Sequence, residues 1–188
     1  MIAVGDTFPT FSYKVRRIRG LEETRTSCEA TGDCDREVWV TRTSAEITAN
    51  RLIAIVGLPG AFTPTCSRSQ CPEYKNRFDE LAALGVDDVY ILSMNDAFVM
   101  KAWMWQTGFG DSLDYIPDGG GAITRALGMN VQNGNLEFGE RSWRYAMLVE
   151  NGSVIYVAPE DNKRDNAEDD PYVNSKPQPM IDFLMSRP

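Results

Sequence analysis

The chain holds four cysteines and no histidine. Cys66 ends the run Pro59-Gly-Ala-Phe-Thr63-Pro-Thr-Cys66, and Ser-Arg-Ser-Gln70-Cys71 follows it. The apolar stretch Leu52-Ile-Ala-Ile-Val56 leads in, and a helical pattern leads out. Cys66 therefore falls where a buried strand hands over to a helix. N–H groups point outward there and the helix dipole favours negative charge, which suits a thiolate. Cys66 is the candidate nucleophile. The absence of histidine excludes Ser–His–Asp and Cys–His catalysis, His-ligated metals and His proton shuttles. An activated thiol must then rest on backbone dipoles, hydroxyls and Arg or Lys.

The elements that position this run alternate between strand and helix patterns. Residues 11–19 read as an edge strand, with Phe11, Tyr13, Val15 and Ile18 opposing outward Lys14, Arg16, Arg17 and Arg19. Residues 20–37 read as a polar surface excursion carrying Cys28 and Cys34. Residues 37–43 suggest a short strand, with Ser44 as the N-cap of a brief turn. Residues 52–57 suit a strand buried on both faces. Thr63 to Leu84 reads as one helix with Phe78, Leu81, Ala82 and Leu84 inward and Gly85 as its stop. Residues 88–93 form the next buried strand, and Asn95 or Asp96 caps a helix running to about Thr107.

Pro117-Asp-Gly-Gly-Gly121 is a turn rather than a phosphate cradle, since no Gly-Lys-Ser/Thr or dinucleotide spacing accompanies it. A short helix follows over 123–129. Residues 143–149 and 153–157 form a hairpin around Glu150-Asn-Gly152. An acidic loop spans 159–176, and a closing helix spans 177–186. Strands alternating with helices, then a late hairpin and a last helix, predict an α/β, thioredoxin-like fold. Its central mixed sheet is flanked by helices and preceded by N-terminal extension strands, all within a single domain, 1–188.

Composition narrows the partners. With 188 residues the chain is long enough for a sizeable core. A net charge of −8 argues against nucleic acid or anionic lipid as the main partner. No run approaches the roughly 18 apolar residues of a membrane span. The N-terminus lacks a basic-then-apolar signal, so a cytoplasmic location with reduced cysteines is expected. Four cysteines without a Cys-x-x-Cys do not suit zinc.

Three separated motifs together resemble the peroxiredoxin family. Pro59-x-x-x-Thr63-x-x-Cys66 resembles its active-site signature, and Pro-Gly-Ala-Phe-Thr-Pro-Thr-Cys-Ser resembles the type-5 branch. Pro117-Asp118-Gly119, Thr124-Arg125 and Leu127-Gly128-Met129 are similar to that branch's middle segment. Arg141-Ser-Trp-Arg144-Tyr-x-Met147 is similar to its arginine-bearing strand. The similarity covers roughly residues 1–158, and it is especially close to bacterial members sometimes fused to a glutaredoxin domain, which this sequence lacks.

The resemblance implies a thiol-specific peroxidase that reduces hydrogen peroxide and alkyl hydroperoxides and needs no metal or organic cofactor. Cys66 would become a sulfenic acid. Thr63 would hydrogen-bond thiolate and peroxide, Arg144 would support the thiolate and the transition-state charge, and Pro59 would shield the site from water. Arg125 would act as support or as structure. The implied partners are a peroxide and a thiol reductant (glutathione with glutaredoxin, or thioredoxin). A homodimer is expected too, with Phe62 and the Trp103–Trp105 region as its candidate surface. A peroxide-sensing redox protein would use the same cysteine, and turnover with a thiol donor separates the two.

Two positions depart from the type-5 pattern. Gln70 stands where relatives often carry histidine, and Cys71 stands where leucine is usual. The Cys66-x4-Cys71 spacing resembles the Q-type branch, whose second cysteine resolves the sulfenic acid. In an α-helix such positions lie about 140° apart and their Cα atoms roughly 8–9 Å, beyond disulfide reach. A Cys66–Cys71 bond would thus require unwinding, and Pro72, with no N–H for the Arg68 carbonyl, weakens the helix there. Cys71, Cys28, Cys34 and an external thiol stay open as resolving groups, and a plain core role for Cys71 stays open beside them.

Overall fold

The computed structural model describes residues 1–18 and 37–187. The predicted excursion, with Cys28 and Cys34, lies outside the described residues. A five-stranded sheet forms the centre, built from β3 (Leu52–Gly57), β4 (Asp88–Ser93), β5 (Asp114–Pro117), β8 (Tyr145–Glu150) and β9 (Ser153–Pro159). Its order is β5-β4-β3-β8-β9. β4 runs parallel to β3 and β5, whereas β8 is antiparallel to β3 and β9. Every residue of β3 is buried, as its unbroken apolar run requires of a strand covered on both faces. Asn151 and Gly152 both take positive φ, the backbone of a two-residue turn matched to strand twist, and so join β8 to β9.

Two smaller sheets flank the centre. β1 (Ser12–Ile18) pairs antiparallel with β2 (Glu37–Thr43), giving the expected N-terminal extension. β6 (Asn130–Asn133) pairs with β7 (Gly139–Ser142). In β1 the alternation buries Tyr13, Val15 and Arg17. Arg17 therefore points inward, against expectation, and can do so because its guanidinium donates to Asp114 at 2.9 Å and to the Tyr115 hydroxyl at 3.2 Å.

The helices are α1 (Ser44–Thr48), α2 (Cys71–Asn76), α3 (Phe78–Ala83), α4 (Ala97–Gln106), α5 (Ala122–Ala126) and α6 (Pro177–Met185). Thr43, not Ser44, caps α1, through a reciprocal capping box with Glu46. Asp96 caps α4 by accepting from the N–H groups of Phe98 and Val99. Met100, Trp103 and Met104 of α4 join the core, while Phe98 and Trp105 are exposed. The buried Asp118 carboxylate accepts from the N–H groups of Ile123 and Thr124, so the triple-glycine turn serves the start of α5.

The helix expected over 63–84 is three pieces. Residues 66–70 form a π-helical turn, α2 follows, and Arg77 breaks the path before α3. That break re-aims the later residues. Leu81 is buried, Phe78 and Leu84 are half-buried, and Ala82 is exposed rather than inward.

Candidate active site

The site forms where β3 ends and β8 begins. Antiparallel pairing sets Gly57 opposite Tyr145, so the loop after Gly57 lies beside Arg144, one residue before β8. Only glycine fits at 57, because a Cβ there would lie 2.0 Å from the Tyr145 ring. Residues 78 positions apart thereby meet: Arg144 Nη1 donates to Cys66 Sγ at 3.3 Å. Cys66 is fully buried and Arg144 is 1 % exposed. A buried guanidinium needs anionic or polar partners, and Arg144 takes three. Besides Cys66, Nη1 donates to Gln70 Oε1, and Nη2 donates to Asp170 Oδ1. Burial opposes its charge, but Cys66 and Asp170 outweigh that and hold the guanidinium above its ordinary range.

The loop from Pro59 to Thr63 carries Cys66 into a helical first turn. The Ser67 N–H donates to the Thr63 carbonyl at 3.0 Å, the first helical bond, so the Thr65 and Cys66 N–H groups precede the ladder. Thr63 Oγ1 donates to the Gly60 carbonyl at 2.8 Å, so its proton goes there and not to Sγ. The Ala61 N–H donates to Asn95 Oδ1 at 2.9 Å, fastening the loop to the end of β4. Phe62 holds a φ of 63°, an uncommon conformation for an aromatic residue, and packs near Trp103, whose Nε1–H donates to Ser67 Oγ.

A pocket of about 170 Å³ is lined by Arg144, the residue that donates to Cys66. Pro59 and Thr63 line it beside Arg144, and Val131, Leu136, Phe138 and Trp143 contribute apolar surface. The segment expected as an acidic loop over 159–176 adds Ala167, Asp169, Asp170 and Pro171 to its lining. This segment is firmly anchored: Glu160, 3 % exposed, accepts from the N–H groups of Val173, Asn174 and Ser175 and from the Ser175 hydroxyl. Those bonds outweigh its burial and hold its carboxyl below the usual range.

Cys66 and Cys71 are both free and buried. Burial, with a smaller contribution from Cys66, pushes the Cys71 thiol well above its ordinary range, and Arg144 only partly opposes this. Thus three of the five residues singled out in the sequence, Pro59, Thr63 and Arg144, line one pocket, Cys66 joins them through Arg144, and Cys71 lies one π turn behind. Arg125 does not join them. It is half-exposed and pairs with Glu140. Sequence reasoning missed Asp170 and gave Gln70 no role toward Arg144. Gln70 carried a visible signal as an uncharged residue one turn past Cys66, whereas Asp170 is one of six acids in a segment without periodicity.

The Redoxin family model matches residues 3–174. A peroxiredoxin of Sinorhizobium fredii is 42 % identical over 161 residues, covering 86 % of this chain and 85 % of that one. The chain belongs to the peroxiredoxin family. The hybrid peroxiredoxin hyPrx5 of Haemophilus influenzae is 40 % identical over 148 residues, covering 78 % of this chain and 58 % of that protein. This likeness supports the type-5 branch. The solved antioxidant protein of Plasmodium falciparum, a 1-Cys peroxiredoxin, superposes with a TM-score of 0.86 at 29 % identity, covering 97 % of this chain and 99 % of that one. The fold is thioredoxin-like, and the peroxiredoxin's activity is thiol-dependent peroxide reduction. No described helix is long and apolar enough to cross a membrane.

Proposed function

We propose that this peroxiredoxin reduces hydrogen peroxide and alkyl hydroperoxides with Cys66 as the attacking thiolate. The observation that carries the reading is the buried contact between Arg144 Nη1 and Cys66 Sγ, at 3.3 Å. The peroxide enters the pocket with its O–O bond toward Sγ. Sulfur attacks the nearer oxygen, the O–O bond breaks, and the departing oxygen takes a proton and leaves as water or alcohol. Cys66 is left as a sulfenic acid. Donors already in place stabilise charge as it builds on the breaking bond, and the Arg144 guanidinium and the helical first turn supply them without reorganisation. Thr63, its proton committed to Gly60, keeps oxygen lone pairs with which to accept from the peroxide. Pro59, in the pocket lining, shields the thiolate from water.

In the second step the Cys71 sulfur attacks the sulfenic sulfur. Water leaves and a disulfide forms, which two reductant thiols (glutathione with glutaredoxin, or thioredoxin) return to free thiols. The shared π turn supports this role for Cys71. The high thiol range of buried Cys71 requires that the turn open first, so that the sulfur is exposed and ionises. The cycle consumes thiols and suits a reducing compartment, the cytoplasm. Exposed Phe62, Phe98 and Trp105 offer an apolar surface for a homodimer. Steady peroxide consumption by wild type and by Cys66→Ser, with each reductant in turn, tests the reading. Turnover by the wild type and none by the variant is expected.

A further inference from the structure

Asp170 lies in the acidic segment, outside the motifs around Pro59, Pro117 and Arg141, yet it is one of three side chains that hold the buried Arg144 guanidinium. Cys66 and Gln70 share Nη1, and Asp170 takes Nη2. Nε of Arg144 is buried with no protein partner, so nothing on the Nε side fixes the plane of the fork. With Gln70 on Nη1, the anchor at Nη2 then fixes the fork and keeps Nη1 aimed at Cys66. Asp170 is itself held in place. Glu160 fastens residues 173–175 behind it, and the Tyr172 hydroxyl donates to Glu73 at 2.7 Å while its ring lies 5.9 Å from the Arg144 Cζ.

We propose that Asp170 is a positioning residue for Arg144, aiming Nη1 at Cys66 while its own negative charge competes with Cys66 for the arginine. The two effects differ in chemistry. Aiming requires only an acceptor oxygen at the Nη2 position. Competition requires an anion, and the Asp170 side chain is about half exposed, 48 %, so solvent weakens it without removing it. The ionisable groups facing the guanidinium are Cys66, Asp170 and Tyr172, with Cys71 behind Cys66 and Glu73 behind Tyr172.

The inference rests on the reading of Cys66 and Arg144 as the reacting pair, and its test separates the two. The pH dependence of single-turnover peroxide reduction is measured for wild type, Asp170→Asn and Asp170→Ala. Iodoacetamide labelling of Cys66, located by mass spectrometry, is followed in parallel. Labelling needs neither peroxide nor reductant, so a wild type that labels but does not reduce peroxide counts against the peroxidase reading alone. Asparagine keeps the acceptor and removes the charge, so the acid limb of both rates is expected to move to lower pH. Alanine removes both, and the peroxide rate at its plateau is expected to fall about tenfold, since loss of aim at a reacting group is costly. Asp170→Asn should lose less at the plateau than Asp170→Ala. If both variants superimpose on the wild type, or both fall equally with no movement of the acid limb, the proposal is overturned. Thermal melts of both variants identify any loss that comes from unfolding.

Discussion

The backbone N–H of Cys71 donates to the carbonyl of Cys66, closing one π turn between the two free cysteines. In α geometry these positions would point about 140° apart. A bond from i to i+5 widens the turn and brings both ends toward one side of the helix. The cause is local: Pro72 has no N–H for the Arg68 carbonyl, so the ladder shifts by one residue just ahead of it. The helix that carries Cys66 is thus already loosened where Cys71 would have to approach.

Pro72→Ala restores that N–H and allows an α bond to Arg68, at a position where proline costs a helix up to about 3 kcal/mol. The segment should tighten. Amide exchange across 66–71 is expected to slow in the reduced protein. In excess peroxide, more Cys66 should reach the sulfinic state and less the Cys66–Cys71 disulfide, as read by mass mapping. Unchanged exchange and an unchanged product ratio would show that the π turn does not govern resolution.

Arg144→Ala removes the guanidinium that donates to Cys66 Sγ, and the second-order rate with peroxide is expected to fall about 10²–10³-fold, the usual cost of one preorganised donor. Arg144→Lys should recover little, because an ammonium cannot reach Cys66, Gln70 and Asp170 with a planar fork. Stopped-flow peroxide consumption measures both. Full rescue by lysine would mean that charge alone matters.

Glu160 should govern the acid stability of the segment that carries Asp170. Its folded value lies below its ordinary one of about 4.5, so the carboxylate contributes stability that is present above that pH and lost as pH falls below it. Glu160→Gln replaces an acceptor of three backbone N–H groups and is expected to cost about 1–3 kcal/mol near neutral pH. Its melting temperature should also fall less steeply than the wild type's below pH 4.5. Equal slopes in thermal melts would remove Glu160 as the anchor.

What the sequence made legible was mostly local. The fully apolar 52–56 run, the Asn151-Gly152 turn and the Asp96 cap each carry their structure in adjacent residues, and the elements formed as expected. Cys66, Thr63 and Pro59 were legible as one motif, and Arg144 as a second motif brought beside it by strand pairing. The misreadings involve interactions across distance. Arg17 reads as outward until Asp114 and Tyr115 are placed beneath β1. Ala82 reads as inward only if one helix runs unbroken past Arg77. Asp170 reads as one solvated acid among six until Glu160 folds the segment back over Arg144. A buried cation 26 residues away leaves no periodic trace in the segment that neutralises it.

The central claim is that Cys66 alone performs the first chemical step, and single-turnover reduction of hydrogen peroxide by wild type, Cys66→Ser and Cys71→Ser measures it directly. Wild type and Cys71→Ser are expected to consume one equivalent at similar rates, and Cys66→Ser none. Consumption of peroxide by Cys66→Ser at the wild-type rate would contradict the account.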